Sequence, residues 1–212
     1  MAKSLPEKLF FAAEQIPRNA RVLDLGCGEQ KRVPWAVGLD RVKTGATDVV
    51  HELDVHPWPF EDDAFDVILM SHVIEHVGDV VRLSQELHRI GRPGAIVRIA
   101  TPHFTNPDAF VDPTHRHAFG WRSLEYFADA QHAPQPWLQS FANRVLGMDA
   151  SVAGWYSRPL FEIVERRITF RRLHRLIGLD RFARELPLFY EYFLGGLAPA
   201  RDLQFVLRVL KP

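Results

Sequence analysis

Short apolar runs alternate with amphipathic stretches through the first hundred residues. The apolar runs are Arg21–Leu25, Ala36–Asp40, Asp48–Leu53, Asp66–Met70 and Ala95–Ala100. The fourth run is almost wholly apolar, which is typical of a central strand covered on both faces of a parallel sheet. Between the fourth and fifth runs, apolar residues recur at helical spacing over Asp79–Ile90. The alternation predicts βαβ units and a parallel sheet.

The pattern changes in the second half of the chain. Phe161–Phe170 and Asp202–Leu210 alternate apolar and polar residues and are predicted to be strands that pair as an antiparallel edge. Helices are predicted over three segments, Ser123–Asp129, Trp137–Leu146 and Arg181–Leu194. The predicted fold class is therefore α/β, with seven strands in a mostly parallel sheet, an antiparallel last strand and helices on both faces.

Composition narrows the class of protein. The 212 residues include 26 basic and 26 acidic side chains, so the zero net charge disfavours a strongly basic nucleic-acid binder. A single cysteine excludes an internal disulfide and a cysteine cluster for structural zinc. Charged residues interrupt Met1–Gln15, so no signal peptide is predicted, and no apolar run reaches the roughly 18 residues of a membrane span. A cytoplasmic location is expected.

The segment VLDLGCG, residues 22–28, is a strand that runs into a Gly-x-Gly turn. Glycines let a ligand approach the backbone closely at the carboxyl end of a strand. Asp40 ends the second strand twelve residues after Gly28, where its carboxylate could accept both hydroxyls of a ribose. A dinucleotide turn needs a third glycine, but Lys31 stands there, and the step to Val37 is too short for a full helix. This spacing favours a ligand with an adenosine but no pyrophosphate.

Four blocks in order resemble the class I S-adenosylmethionine-dependent methyltransferases: VLDLGCG, GLD, LDVHPWPFEDDAFDVILMSHVIEHV and ELHRIGRPG. The short first crossover and PHFTNPDAFVDPTHRHAFGWRSLEYF resemble a bacterial subgroup with a reduced first helix. The resemblance covers about residues 21–127 and the late strands. It implies a Rossmann-like sheet in a single domain, 1–212, with S-adenosyl-L-methionine as cofactor and S-adenosyl-L-homocysteine as product. Segments 130–160 and 171–199 are then substrate-side insertions or cover.

The resemblance also implies which residues bind the cofactor. Gly26 and Gly28 match the loop that cradles its methionine part, and Asp24 matches the acidic residue at the head of that motif. The usual third small residue of the loop is Gln30 here, which leaves one wall of the methionine pocket undefined.

Four further residues match cofactor-binding positions after the second, third and fourth strands. Asp40 matches the ribose-binding carboxylate. Asp54 matches the position that contacts the adenine amino group, with Leu53 against the ring. His72, just past the fourth strand, lies where the family faces the methionine and the methyl group.

A polar cluster follows the fifth strand, where an open α/β sheet places its active site. Its members are His103, Asp112, His115, Arg116 and His117. His115 or His117, and more weakly His103, could act as a general base when the acceptor keeps a proton. The alternatives are an Asp112–Arg116 ion pair with histidines that fix the loop, or a metal ligand set. No metal site is predicted, because the sequence shows no second group that would orient the histidines.

The predicted activity is methyl transfer to oxygen or nitrogen of a small-molecule or glycan-like acceptor. A non-catalytic cofactor-binding interaction module is one alternative. RNA methylation is another, which the neutral charge disfavours and the arginines of Arg158–Arg184 favour. The aromatic stretch Leu186–Leu194 either packs on the sheet edge or makes peripheral membrane contact. The oligomeric state cannot be predicted from these patterns.

Overall fold

The computed structural model describes residues 10–128, 135–147 and 158–211. Seven strands form one sheet: β1 (Val22–Leu25), β2 (Val37–Asp40), β3 (Val49–Val50), β4 (Phe65–Ser71), β5 (Gly91–Pro102), β6 (Phe161–Ile168) and β7 (Asp202–Val209). Their order is β3-β2-β1-β4-β5-β7-β6. β7 is antiparallel to β5 and β6, and the other pairings are parallel. The predicted mostly parallel sheet with an antiparallel last strand is confirmed.

Helices connect and cover these strands: α1 (Val80–Ile90), α2 (Asp108–Val111), α3 (Trp137–Leu146), α4 (Arg172–Leu176), α5 (Leu179–Glu185) and α6 (Pro187–Phe189). Shorter 3₁₀ segments are Ala13–Gln15, Ile74–His76 and Glu125–Phe127, and Tyr190–Leu194 is a π-helical turn. α1 and α3 lie where the apolar spacing predicts them. Over the described ranges, no helix is both long enough and apolar enough to cross a bilayer.

The apolar composition of β4 follows from burial on both faces. Ile68 and Met70 belong to one apolar cluster, which also contains the inner face of α1. Val67 and Leu69 alternate with them and belong to a second cluster, which residues 10–16 cover. A strand enclosed in this way needs an apolar side chain at every position, whereas a strand with one wet face alternates.

The third predicted strand is much shorter than expected. Asp48–Leu53 was predicted to be extended throughout, but β3 contains two residues. The chain then turns, with the N–H of Val55 donating to the carbonyl of Glu52 at 3.0 Å. The pattern of apolar and polar residues does not show where a hydrogen bond within a turn replaces the hydrogen bonds between strands.

The predicted helix over Arg181–Leu194 is interrupted. α5 ends at Glu185, and Leu186 has φ −131° and ψ 60°, outside the helical region. Pro187 explains the break, because its ring disfavours helical geometry at the preceding residue. The predicted helix at Ser123–Asp129 is likewise only a 3₁₀ turn over Glu125–Phe127, and Asp129 lies outside the described residues.

No helix connects β1 to β2, as the short crossover predicts. Residues 26–36 are held by turns instead, and Asp24 in β1 anchors them by accepting a hydrogen bond from the N–H of Arg32 at 2.5 Å. Asp24 is 1% exposed. Burial raises its pKa to about 6, against the opposing effects of that hydrogen bond and the charges of Arg32 and Lys31. The connection therefore depends on a carboxylate that is costly to ionise.

We expect Asp24→Asn to increase stability near neutral pH. The carboxyl pKa is about 6 in the folded chain and near 3.8 when unfolded, so the folded state binds more protons between these values. The wild-type free energy of unfolding should therefore fall by about 2 kcal/mol through this group as pH rises from 4.5 to 7. Asparagine keeps an acceptor for the Arg32 N–H and removes this slope. Urea unfolding across that range measures it, with exposed Glu61→Gln as the matched control. A variant with an unchanged slope would contradict the assignment.

Candidate active site at the carboxyl edge of the sheet

A cavity of about 840 Å³ lies beyond the carboxyl ends of β1, β2 and β4. In the strand order, β1 and β4 are neighbours whose connections lead in opposite directions, which is where open α/β sheets bind ligands. Five of the predicted cofactor residues line it: Gly26, Asp40, Leu53, Asp54 and His72. We call it the larger cavity. The residues were predicted from separate blocks of sequence, and the structure brings them together.

The glycine turn is built for close approach. Gly26 has φ +65°, and a Cβ there would collide with the side chain of Val73. Gly28 has φ +58° and donates its N–H to Asp40 Oδ2 at 2.9 Å. A left-handed conformation at both positions explains the need for glycine, because other residues are strained there. The turn also ties β1 to the end of β2.

Asp40 is held by the backbone on both carboxylate oxygens. Oδ2 accepts from Gly28, and Oδ1 accepts from the N–H of Val42 at 3.0 Å. Each oxygen keeps a further lone pair, because a carboxylate has about four acceptor positions. A fixed carboxylate at the cavity wall is suited to accept two adjacent hydroxyl groups.

Asp54 also lines the larger cavity. Its Oδ1 accepts from the N–H of Gly78 at 2.7 Å, and its Oδ2 lies 3.2 Å from Arg116 Nη1. Arg116 thus pairs with Asp54, and the alternative Asp112–Arg116 pair is wrong. Leu53 beside it is buried, and its carbonyl accepts from the indole N–H of Trp58 at 3.0 Å.

Asp24 and Gly28 are not among the residues that line the larger cavity. Asp24 lies beneath the turn and holds it through Arg32, whereas Gly28 orients Asp40. Their contacts are with the loop that shapes the cavity rather than with its interior.

A second cavity of about 690 Å³, the smaller cavity, adjoins the first. The two share four lining residues: His72, His76, Asp112 and Pro113. The smaller cavity is also lined by His115, Asp202 and two arginines, Arg171 and Arg201. A ligand in one cavity could therefore touch a ligand in the other beside His72 and His76.

His72 stands where the two cavities meet. It follows β4 directly and has φ +55°, an unusual conformation for a residue with a side chain. Its Nδ1 lies 3.4 Å from Glu75 Oε1, and its Nε2 lies 4.0 Å from Asp202 Oδ1. Both carboxylates are buried. The imidazole is thus set between two acidic groups.

The three histidines predicted as bases have different surroundings. His115 lines the smaller cavity. His103 is fully buried, accepts from the N–H of Thr105 at 3.2 Å through Nδ1, and therefore donates from Nε2 to Glu191 Oε1 at 3.0 Å. His117 has a buried Nε2 without a hydrogen-bond partner in the described part of the chain. Neither His103 nor His117 lines the two cavities.

Sequence reasoning did not assign four residues that line these cavities: Thr114, Asp202, Arg171 and Arg201. For Asp202 a signal existed. It begins β7, and an antiparallel strand begins at the edge where parallel strands end. Arg171 gave no comparable signal, because it is one of many arginines in Arg158–Arg184, and no motif marked Arg201.

The comparisons with known proteins agree with this geometry. A family model described as a methyltransferase domain matches residues 1–145. A trans-aconitate 2-methyltransferase of Variovorax paradoxus is 26% identical over 173 residues, which cover 73% of this chain and 61% of that protein. A 2-phytyl-1,4-naphtoquinone methyltransferase of Nostoc punctiforme is 42% identical over 52 residues, 24% of this chain and 23% of that protein. The match thus spans less than two thirds of either relative.

Solved structures give the same fold. The crystal structure of an S-adenosylmethionine-dependent methyltransferase from Archaeoglobus fulgidus aligns with a TM-score of 0.51 and 18% identity, covering 89% of this chain and 85% of that one. At this identity the likeness concerns the fold. Together with the matched family model, it confirms the resemblance noted in the sequence: the chain belongs to the methyltransferase domain family, the class I fold whose cofactor is S-adenosylmethionine.

Proposed function

We propose that this chain transfers a methyl group from S-adenosylmethionine to an oxygen or nitrogen of a small acceptor. The observation that carries the proposal is the pair of adjoining cavities. The larger one contains the predicted cofactor residues, and the smaller one meets it at His72 and His76. Two ligands placed in them would be held with their reacting groups adjacent, and positioning of this kind supplies much of the rate of a displacement.

The residues of the larger cavity fit the cofactor. Gly26 lines the larger cavity without a side chain, because a Cβ there would collide with Val73, and a bare backbone at this point suits the amino-acid part of the cofactor. The lone pairs of Asp40 suit the two ribose hydroxyls, and Asp54 with buried Leu53 suits an adenine amino group and ring. Asp24 supports this site from beneath the turn, and Gly28 orients Asp40.

A cofactor held by Gly26, Asp40, Leu53 and Asp54 would supply an electrophilic methyl group for displacement at its carbon, with the sulfur as leaving group, and the acceptor proton would need a base. Among the three predicted histidines, His115 is the one that lines the smaller cavity and so can act on that proton. His103 instead holds the loop through Glu191. We assign no role in the reaction to His117.

The smaller cavity is lined by two arginines and four carboxylic residues, Glu75, Asp108, Asp112 and Asp202. Arg171 lies 3.5 Å from Asp108 and Arg201 lies 3.2 Å from Asp202. We propose that an acidic group of the acceptor binds to these two arginines, because a guanidinium presents paired donors to a carboxylate or phosphate. One relative is named for trans-aconitate, a carboxylate substrate. The segment 171–199 thus contributes to the acceptor side, in keeping with its predicted role as substrate-side cover. Residues 130–134 and 148–157 of segment 130–160 lie outside the described residues.

We expect Asp40→Ala to weaken cofactor binding by about 1–3 kcal/mol, because a fixed charged acceptor of two hydroxyl groups is lost. This corresponds to roughly five- to 150-fold in the dissociation constant. Calorimetric titration with S-adenosylmethionine and S-adenosylhomocysteine measures it. Asp40→Asn, which keeps an acceptor for the Gly28 N–H, separates ribose binding from loop geometry, and exposed Glu61→Gln is the matched control. Equal affinities in wild type and Asp40→Ala would remove Asp40 from the cofactor site.

We expect His115→Ala to lower turnover by about a hundredfold or more and to leave cofactor affinity nearly unchanged, because His115 lines only the acceptor side. Release of S-adenosylhomocysteine from wild type and variant, with a panel of small hydroxylated and carboxylated acceptors that includes trans-aconitate, measures it. Thermal unfolding checks that the variant folds. A wild type that binds cofactor but turns over none of the panel would favour the non-catalytic module, and loss of cofactor binding in the variant would show that His115 supports the fold.

A further inference from the structure

Three side chains of types that bind metal ions lie close together at the smaller cavity. Glu75, His76 and His115 each present one ligand atom, and these atoms lie within 4.8 Å of one another. Glu75 and His76 belong to the 3₁₀ turn after β4, whereas His115 comes from the loop after α2. All three side chains line the smaller cavity.

The tautomer of His115 is set by the backbone. Its Nδ1 lies 3.0 Å from the carbonyl oxygen of Ala109, which can only accept, so Nδ1 carries the hydrogen. Nε2 is then a bare lone pair. Asp112 Oδ2 lies 4.0 Å from it, too far for a hydrogen bond.

The tautomer of His76 is set by a side-chain relay. The hydroxyl of Thr114 donates to Asp112 Oδ1 at 2.7 Å, so its oxygen is free to accept from His76 Nδ1 at 2.9 Å. Asp112 also accepts the Thr114 N–H at 2.8 Å, which fixes the relay. The lone pair of His76 is therefore on Nε2. A histidine that donates from one ring nitrogen to an oxygen while its other nitrogen is bare is the arrangement found behind most metal-bound histidines.

Glu75 is a buried carboxyl group with one oxygen that accepts no hydrogen bond from the described residues. The residue is 1% exposed. Its Oε2 accepts from the hydroxyl of Thr101 at 3.0 Å, but its Oε1 is buried and accepts no hydrogen bond from the described residues. His72 Nδ1 is close, at 3.4 Å, without hydrogen-bond geometry. A buried carboxylate oxygen in this state is costly unless a cation satisfies it.

We propose that Glu75, His76 and His115 bind a divalent transition-metal ion whose open coordination positions face the acceptor. Two imidazole nitrogens and one carboxylate oxygen suit zinc, iron(II) or manganese(II) better than magnesium or calcium, which prefer oxygen alone. Bond lengths of about 2.0–2.2 Å require the three ligand atoms to draw together by about 1 Å, which rotation of two partly exposed rings can supply.

The chemical consequence deepens the proposed function and rests on it. An acceptor hydroxyl bound to the ion loses its proton more readily, and the proton passes to water before the oxygen attacks the methyl carbon. Arg171 and Arg201 would hold a carboxylate or phosphate of the same molecule. The proposed acceptor is therefore a small anion with a hydroxyl group that binds the ion and a neighbouring oxygen that can bind the ion as well. In this arrangement the Nε2 lone pair of His115 binds the ion, so His115 no longer takes the proton and its metal-free role as base is replaced.

Metal titration of the full chain tests the site without any acceptor. After chelation and dialysis, we expect the wild type to bind one equivalent of Zn²⁺ by calorimetry and to give visible d–d absorption with Co²⁺. His115→Ala and Glu75→Gln should each weaken binding roughly tenfold or more, because each removes a ligand. Glutamine keeps the shape of Glu75 and its place beside Thr101, which limits misfolding. His117→Ala, two residues from His115 and outside both cavities, is the matched control.

The outcomes separate this proposal from the proposed function. Loss of the bound equivalent in His115→Ala and Glu75→Gln, with retention in His117→Ala, supports the site. No bound equivalent in the wild type, or equal binding in all four proteins, overturns it. Titration of the same metal-free wild type with S-adenosylmethionine is the independent arm: cofactor binding without metal binding would leave the methyltransferase proposal standing, and failure to bind cofactor would remove that proposal instead.

Discussion

The shape of the larger cavity depends on the hydrogen bonds by which backbone N–H groups hold the carboxylate of Asp40. Gly28 and Val42 donate to its two oxygens, so the ends of β1 and β2 are fixed relative to each other without a crossover helix. A longer helix normally provides that support in parallel sheets. Here the support comes from below, where buried Asp24 bonds to Arg32. Hydrogen bonds to two carboxylates thus define the path of the short connection in place of a helix.

Position in the sheet explains why the cofactor side could be predicted. Parallel strands that alternate with short connections bring their carboxyl ends to one edge, so a residue just after an apolar run falls at that edge. Gly26, Asp40 and His72 each follow such a run, and each lines the larger cavity. Local apolar patterns mark the strand ends well and so locate this edge, whereas the cofactor role of His72 came from the resemblance to the methyltransferases.

The acceptor side resisted the same reasoning because its contacts are not local. His103, His115 and His117 all lie on one polar loop of the sequence, where His103 is the weaker candidate for a base. In the structure His103 bonds to Glu191, 88 residues away, and is removed from the cavities. Arg116 bonds to Asp54 rather than to its neighbour Asp112. Spacing within a loop does not determine which side chains face inward, since distant elements supply the partners. Single local features likewise shorten β3 and break the helix at Leu186. A turn hydrogen bond ends the first, and Pro187 interrupts the second.

Metal ligation is a further case where sequence and structure carry different information. His-x-His spacing suggests His115 with His117, but their side chains have different surroundings, and the partner of His115 comes from a turn forty residues earlier. What distinguishes a ligand from a structural histidine is the group behind the ring. Ala109 and Thr114 occupy that place for His115 and His76, whereas both nitrogens of His103 are used within the fold. A bare imidazole nitrogen beside a buried, unsatisfied carboxylate oxygen is an arrangement that folding alone does not stabilise, and a cation is the ligand that would balance it.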